Sequence, residues 1–211
     1  MADPAEDAVA EFVAVMRRLR AECPWKQEQT HRSLVRYLVE ETYETVDAID
    51  DAEATGDFGN LAEELGDLLL QVVFHAVIAE ERGDFDLDDV ARGITAKMRR
   101  RNPHVFGDPA GDLSAELTAE EVDERWQRIK AAERGGRSGQ DALPSELPSA
   151  LPALLYADKA LARLERAGRP AGLAPDSADL GERLLALVAE ARAAGVDPEQ
   201  ALRDAVRGRL G

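Results

Sequence analysis

Two clusters of carboxylic acids stand out in the first half of the chain. They are Glu40-Glu41-Thr42-Tyr43-Glu44 and Glu63-Glu64-Leu65-Gly66-Asp67. Residues three apart on a helix lie about 60° apart around its axis, so each cluster offers a carboxylate pair on one face. The pairs are Glu41 with Glu44 and Glu64 with Asp67. Several carboxylates brought together suit hard divalent cations such as Mg²⁺ or Mn²⁺, so the spacing predicts a metal site between two helices.

The alternative interpretation is that these acids cover solvated helix faces. For a single Glu-x-x-Glu spacing this is the usual outcome, because helices contain many such pairs. Asp67 is unusual, since its neighbours in sequence are leucines, and an uncompensated carboxylate at a helix interface is costly. The apolar neighbours and the scarcity of nearby bases favour the metal site over the solvated face.

The acidic residues are concentrated in one window. The chain of 211 residues has 42 acidic and 26 basic residues, a net charge of −16. Residues 40 to 89 contain 17 acidic residues and one basic residue, Arg82, which accounts for the whole excess. This field would repel a nucleic acid polymer, so no such partner is expected. An apolar content of 45% with 32% charged residues is typical of a globular chain.

Compartment and membrane association can also be predicted. The single cysteine, Cys23, excludes an internal disulfide and is compatible with a reducing interior. The N-terminus lacks the apolar core of a signal peptide, and the most apolar stretch, residues 65–79, is interrupted by Asp67, Gln71 and His75. We expect a cytoplasmic protein with no membrane partner.

Apolar residues recur at helical spacing along most of the chain, and no segment has a convincing strand pattern. Helices are predicted over residues 5–20, from Thr30 or Ser33 to 54, and over 58–82, 86–101 and 118–134. The breaks are supplied by Pro24, by Gly56, by Gly83 and by Pro103, and residues 103–117 are predicted to form a loop. Three more helices are expected in the tail, over 153–167, 177–194 and 198–209. The fold class is all-α, a helical bundle with a further helical segment at its C-terminal end.

A composition change divides the chain. Residues 135–140, Gly-Gly-Arg-Ser-Gly-Gln, have the composition of a linker. We therefore expect a catalytic helical domain over residues 1–134, a linker over 135–152 and a helical tail over 153–211.

These clusters, with three longer strings, carry a family resemblance. Glu40-Glu41-x-x-Glu44, 19 residues and Glu64-x-x-Asp67 resemble the EExxE and ExxD signature of MazG-type nucleoside triphosphate pyrophosphohydrolases. The strings that resemble MazG itself are Cys23-Pro24-Trp25 with Gln29-Thr30-His31, Glu63 to Leu69, and Arg100-Arg101-Asn102-Pro103-His104-Val105-Phe106. The resemblance covers residues 8 to 134.

The resemblance implies an all-α fold that dimerises, and possible higher homo-oligomers. The implied reaction is metal-dependent hydrolysis of a nucleoside triphosphate between the α and β phosphates, which yields the monophosphate and pyrophosphate in nucleotide-pool house-cleaning. The implied metal ligands are Glu41, Glu44, Glu64 and Asp67. Glu40 would be a water-activating carboxylate or a partner of the ligands. Mg²⁺ is the expected cofactor, with Mn²⁺ as a possible substitute.

Basic and aromatic residues beyond the clusters are candidates for substrate binding. Lys97, Arg100 and Arg101 end the fourth predicted helix, where they can hold phosphate oxygens or offset the helix dipole. Trp126 and Lys130, one turn apart, match family positions that contact the nucleotide, although a Trp on an amphipathic helix is usually buried in the core.

The histidines and one departure from the family have two interpretations each. His31 belongs to a family string and would lie at the mouth of the site, or at a helix start. His75, among valines and Phe74, fits an interface better than a ligand role. Where the family has Cys-Pro-Trp-Asp, this chain has Lys26, which removes an acid near the expected entrance.

The tail resembles a degenerate second copy. Asp179-Leu180-Gly181-Glu182 repeats the pattern of Glu64-Leu65-Gly66-Asp67 with the acids exchanged. No Glu-Glu-x-x-Glu precedes it, so we predict that the tail does not catalyse. The alternative is a helical appendage with chance similarity.

The sequence leaves two rival functions open. One is a narrower enzyme with the same carboxylates, a dUTP, dCTP or phosphoribosyl-ATP pyrophosphatase. The other is a non-catalytic acidic helical protein that binds a basic partner. The Cys-Pro-Trp and Pro-His-Val-Phe strings favour a MazG-type enzyme.

Overall fold

A computed structural model of the chain describes residues 8–107, 117–135 and 147–210, and within these ranges every regular element is a helix. This confirms the predicted all-α fold. The helices are α1 (Ala8–Glu22), α2 (Pro24–Glu28), α3 (Val35–Thr55), α4 (Gly59–Glu81), α5 (Leu87–Arg101), α6 (Pro103–Phe106), α7 (Ala119–Gly135), α8 (Ala153–Arg166), α9 (Leu180–Ala193) and α10 (Pro198–Leu210). They fall into two compact units, one up to Trp126 and one from Gln127 onward.

Helix ends lie close to the predicted breaks. Gly56 ends α3 with a φ of 77°, a left-handed conformation that favours glycine, and its N–H donates to Ala52 O at 2.8 Å. At the start of α7, the predicted capping box is present. Thr118 N–H donates to Glu121 Oε2 at 2.8 Å, and Glu121 N–H donates to Thr118 Oγ1 at 3.3 Å.

Two short helices were not predicted. Residues 103–106, predicted as loop, form α6, and the residues after Cys23 form α2. Each begins with proline, at Pro103 and Pro24, because proline fits the first helical position although it interrupts a helix interior. The prediction of a loop over 103–117 is therefore wrong for its first four residues. Residues 108–116 lie outside the described ranges, as do 136–146 of the predicted linker.

The centre of the first unit is an antiparallel hairpin of α3 and α4. Small residues on α3, Ala48 and Ala52, are buried and allow close packing of the two helices. The core lies around α4 and contains residues from α1, the turn before α3 and α4: Val13, Met16, Leu34, Val73, Phe74, Val77 and Ile78. Phe12, Tyr37, Leu70 and Leu87 pack against it.

Ion pairs join α1 to the end of α4. Arg17 Nε lies 2.9 Å from Glu80 Oε2, and Arg20 Nε lies 2.8 Å from Glu81 Oε1. Arg20 also donates to the backbone carbonyls of Lys26 and Gln29, the latter at 2.9 Å. This one side chain therefore fixes the segment from α2 to the start of α3.

The second unit contains α8, α9 and α10, which pack on one another around the buried Leu161 and Val188. Arg192 on α9 joins two helices, since it donates to Asp158 Oδ1 on α8 at 2.6 Å. Helix α7 runs across the division between the units. Among the described residues, no helix is long and apolar enough to cross a membrane.

Candidate metal and nucleotide site

Three carboxylates from the two predicted clusters meet on the α3–α4 hairpin. Glu41 on α3 and Glu64 and Asp67 on α4 can each place one carboxylate oxygen within 4.8 Å of the others. All three side chains are partly buried. An all-oxygen, anionic donor set of this kind fits a hard divalent cation.

Helical periodicity explains why the carboxylates meet. On α3, Glu41 begins the stripe that continues through the buried Thr45 and Ala48. On α4, Asp67 begins a corresponding stripe that continues through the buried Gln71. The carboxylates therefore lie on the faces along which the two helices pack.

The cluster is electrostatically strained when no cation is bound. Partial burial, followed by the negative charges of Asp67 and Glu44, raises the pKa of Glu41. Partial burial, followed by the charges of Glu44 and Asp67, likewise raises the pKa of Glu64. A divalent cation would remove this repulsion, so the residues present fit a metal both in chemistry and in charge.

The remaining acids of the signature differ in position. Glu44 is exposed, and its negative charge helps to raise the pKa of both Glu41 and Glu64, so it lies beside the three-residue cluster. Glu40 is exposed and is not one of the three residues that meet. The structure thus brings together three of the four predicted ligands and places the fourth next to them.

Five of the six predicted substrate-binding residues lie on α5 and α7, and the sixth, His31, lies in the turn before α3. Lys97, Arg100 and Arg101 occupy the last two turns of α5. The guanidinium carbon of Arg101 lies 5.1 Å from the centroid of the Trp126 ring, a cation–π distance, and Trp126 is partly buried. Lys130 follows one turn later on α7, in the second unit.

His31, from the turn before α3, forms a pair with His75 on α4. Their Nδ1 atoms are 2.8 Å apart, their ring planes differ by 6° and their centroids are 5.1 Å apart. The centroid separation equals the Nδ1 distance plus the two ring radii, so the rings meet edge to edge rather than face to face. A hydrogen bond between two imidazole nitrogens needs one donor and one acceptor, so one proton lies between the rings. Burial, then the positive charge of His31, lowers the pKa of His75.

Sequence reasoning missed three contributions to this region. The pairing of His31 with His75 has no signal in sequence, because the two residues lie 44 positions apart. The buried polar residues Thr45 and Gln71 do have one, since each lies four residues after a carboxylate of the cluster. A polar residue one helical turn after a predicted ligand therefore indicates a polar position on the same helix face.

The chain matches the family model described as the MazG nucleotide pyrophosphohydrolase domain over residues 29–106, the segment that contains the carboxylate cluster. It is 41% identical over 190 residues to a nucleoside triphosphate pyrophosphohydrolase of Escherichia coli K12, covering 88% of this chain and 68% of the relative. A Thermotoga maritima protein, nucleoside triphosphate pyrophosphohydrolase/pyrophosphatase MazG, is 39% identical over 220 residues, covering 93% and 80%. An uncharacterized 26.1 kDa protein of Streptomyces cacaoi is 45% identical over 197 residues, covering 92% and 76%.

These identities extend over most of both chains and include the hairpin on which the three carboxylates meet. The chain therefore belongs to the MazG family of nucleotide pyrophosphohydrolases.

Proposed function

We propose that this protein hydrolyses nucleoside triphosphates to nucleoside monophosphates and pyrophosphate, with a divalent cation held by Glu41, Glu64 and Asp67. The observation that carries the proposal is the convergence of these carboxylates within 4.8 Å on a hairpin that matches the family model. We propose Glu44, whose charge acts on the pKa of Glu41, as the fourth ligand.

Mg²⁺ is the cation that we propose, with Mn²⁺ as a functional substitute. Glu41, Glu64 and Asp67 would hold the cation, which would supply neutralisation of phosphate charge, polarisation of the attacked phosphorus and a lowered pKa of bound water. The carboxylates orient the cation and exclude competing anions. Because the acidic face repels a triphosphate in the absence of metal, nucleotide binding as well as turnover depends on the cation.

Basic and aromatic side chains supply the remaining contacts with the substrate in this proposal. Lys97, Arg100 and Arg101 bind phosphate oxygens, since charge-assisted hydrogen bonds from arginine match phosphate geometry. The contact of Arg101 with Trp126 supports a linked role, in which the guanidinium holds phosphate and the indole stacks on the base. Lys130 and His31 are proposed as further substrate contacts.

Glu40 is proposed to assist the attacking water. It lies next to Glu41 in sequence and its side chain is exposed to solvent. A carboxylate near a polarised water can accept its proton.

We also propose a homodimer formed through the hairpin. An apolar stripe on α4, more than a third of a turn from the carboxylates at about 100° per residue, is exposed to solvent and contains Leu65, Leu69 and Val72. A second stripe on α3 exposes Val35, Val39 and Ile49. Contiguous apolar stripes on adjacent helices are typical of surfaces that pack against another subunit. A cytoplasmic location is proposed because the substrate belongs to the intracellular nucleotide pool.

The central experiment measures products from a panel of ribonucleoside and deoxyribonucleoside triphosphates, dUTP, dCTP and phosphoribosyl-ATP included, with Mg²⁺, with Mn²⁺ and with EDTA. We expect monophosphate and pyrophosphate in equal amounts, and no turnover with EDTA. The panel also distinguishes a broad house-cleaning enzyme from one confined to a single nucleotide.

The control is Glu64→Gln, which keeps the size of the side chain and removes a charged ligand. It should lose both turnover and metal-dependent nucleotide binding while it remains folded. If neither protein releases pyrophosphate from any nucleotide of the panel, the proposed activity is wrong. A diphosphate and inorganic phosphate as products would contradict the proposed site of cleavage.

A further inference from the structure

Two buried polar side chains of the described residues each lie one helical turn after a carboxylate of the cluster. Thr45 is 5% exposed and follows Glu41 by four residues on α3, and Gln71 is 3% exposed and follows Asp67 by four residues on α4. Side chains on a helix point toward its N-terminus, so each polar group is directed toward the turn that carries the carboxylate.

The polar atoms of Thr45 and Gln71 differ in their hydrogen bonds. Thr45 Oγ1 donates to Glu41 O at 2.7 Å within α3, so the hydroxyl proton is used and its oxygen can only accept. Gln71 Oε1 is enclosed and has no hydrogen-bond partner. Burial of an unpaired amide oxygen destabilises a fold, because the oxygen loses its water and gains no donor. The cost is located one helical turn from Asp67.

Gln71 Oε1 therefore needs a hydrogen-bond donor. Phosphate oxygens of a nucleotide are acceptors and do not meet that need, and the Gln71 oxygen is closed to solvent, so the amide has to turn before a donor reaches it. Water in the hydration shell of a divalent cation is small, carries two polarised protons and is retained by Mg²⁺ in most protein sites. The terminal torsion of a glutamine is broad, so the amide can turn toward the side of Asp67 that faces such a water.

We propose that Gln71 Oε1 accepts a hydrogen bond from a water molecule in the hydration shell of the divalent cation, which makes Gln71 a positioning residue for the metal. The inference rests on the metal site of the proposed function. Groups that orient metal ligands from behind commonly alter metal affinity 10- to 100-fold when they are replaced, so an effect of about that size is expected.

The experiment titrates MgCl₂ alone, without nucleotide, into wild type and Gln71→Leu, and follows melting temperature and calorimetric heat. In EDTA, Gln71→Leu should melt at a higher temperature than wild type, because the unpaired oxygen has been removed. The Mg²⁺ concentration that gives half of the stabilisation should rise about 10-fold or more. If the leucine variant packs poorly, the same measurements are made on Gln71→Met, whose side chain is closer in shape to glutamine.

Gln29→Leu is the matched control, because it removes a side-chain amide whose oxygen and nitrogen both have hydrogen-bond partners. Gln29 Oε1 accepts from Ser33 Oγ at 2.8 Å, and Gln29 Nε2 donates to Trp25 O at 2.9 Å. This variant should melt at a lower temperature than wild type and should bind Mg²⁺ like wild type. The two glutamine variants thus have opposite effects on the stability of the metal-free protein.

Two results would overturn the inference. One is an unchanged Mg²⁺ midpoint with a lower melting temperature in EDTA, which would make Gln71 a paired structural residue. The other is an unchanged Mg²⁺ midpoint with a raised KM for nucleotide, which would assign the donor to the nucleotide. If wild type itself shows no response to Mg²⁺, then the metal site of the proposed function is wrong, and that outcome is distinct from both.

Discussion

Helices α4 and α9 have the same pattern of acids and leucines, yet only α4 takes part in the carboxylate cluster. Aligned on their acids, Asp67 corresponds to Glu182, and Val73 corresponds to Val188. Val73 is 0% exposed and Val188 is 2% exposed, while the aligned Leu65 and Leu180 are both exposed. The two helices therefore bury and expose the same faces, although their surroundings differ.

The difference lies in the neighbouring helix and in the helix start. Helix α4 packs on α3, which supplies Glu41, whereas α9 packs on α8 and α10. Asp179 is the N-cap of α9, and its Oδ1 accepts from Glu182 N–H at 3.0 Å. Glu64 lies well inside α4, where no backbone N–H is available for capping. A pair of acids thus joins a carboxylate cluster where a second helix presents a further acid, and stabilises a helix end where none does.

The largest contrast is expected between Asp67→Asn and Glu182→Gln, which remove aligned charges. Asp67→Asn should lower kcat/KM by at least about 100-fold, because even groups behind metal ligands have effects of 10- to 100-fold. Glu182→Gln should change it less than about 2-fold. Steady-state pyrophosphate release measures both. Equal losses in the two variants would show that the tail takes part in catalysis.

The second contrast is in metal-dependent protection of the two helices. Mg²⁺ at 100 times its dissociation constant should add about 2.7 kcal/mol to the free energy of opening the hairpin. Hydrogen exchange of α4 amides should slow accordingly, and exchange of α9 amides should not change. Protection of α9 equal to that of α4 would contradict a metal site confined to the first unit.

The third contrast concerns the cap of α9. Asp179→Ala removes the side chain that accepts from Glu182 N–H, which should destabilise the second unit by about 1 kcal/mol. Turnover should remain unchanged. Denaturant unfolding followed by hydrogen exchange in α9 measures the loss, and Asp179→Asn, which can still cap, should restore most of it.

The smallest effect is expected from pH in the metal-free protein. The raised pKa values of Glu41 and Glu64 mean that the folded state holds protons that the unfolded state has released. Their contribution to stability is therefore complete below the ordinary glutamate pKa and is lost as pH rises through the raised values. Glu41→Gln removes part of this dependence and should be more stable than wild type at neutral pH, by less than about 1 kcal/mol.

Melting curves of both proteins in EDTA across this pH range test the prediction. The two curves should converge as pH falls below the ordinary glutamate pKa. A Glu41→Gln variant less stable than wild type at neutral pH would show that the carboxylates do not repel one another in solution.

The sequence predicts the helices and the carboxylates well because both depend on local spacing. The acids of each cluster lie on one helix, so periodicity alone places Glu64 and Asp67 on one face. The short helices after Cys23 and Asn102 were not predicted, because proline there begins a helix instead of ending one. The contact between His31 and His75 depends on how the turn before α3 packs on α4, which no local pattern determines.

The short connection between α3 and α4 has a kinetic consequence. The helices are joined through Gly56, Asp57 and Phe58, and the entropy lost on closing so short a loop is small. Contacts between neighbours in sequence form early, so the hairpin should assemble in the rate-limiting step of folding. Repulsion among its carboxylates then opposes folding itself. Mg²⁺ in the refolding buffer should therefore accelerate refolding, and the proposed metal site would also control how fast the chain reaches its native state.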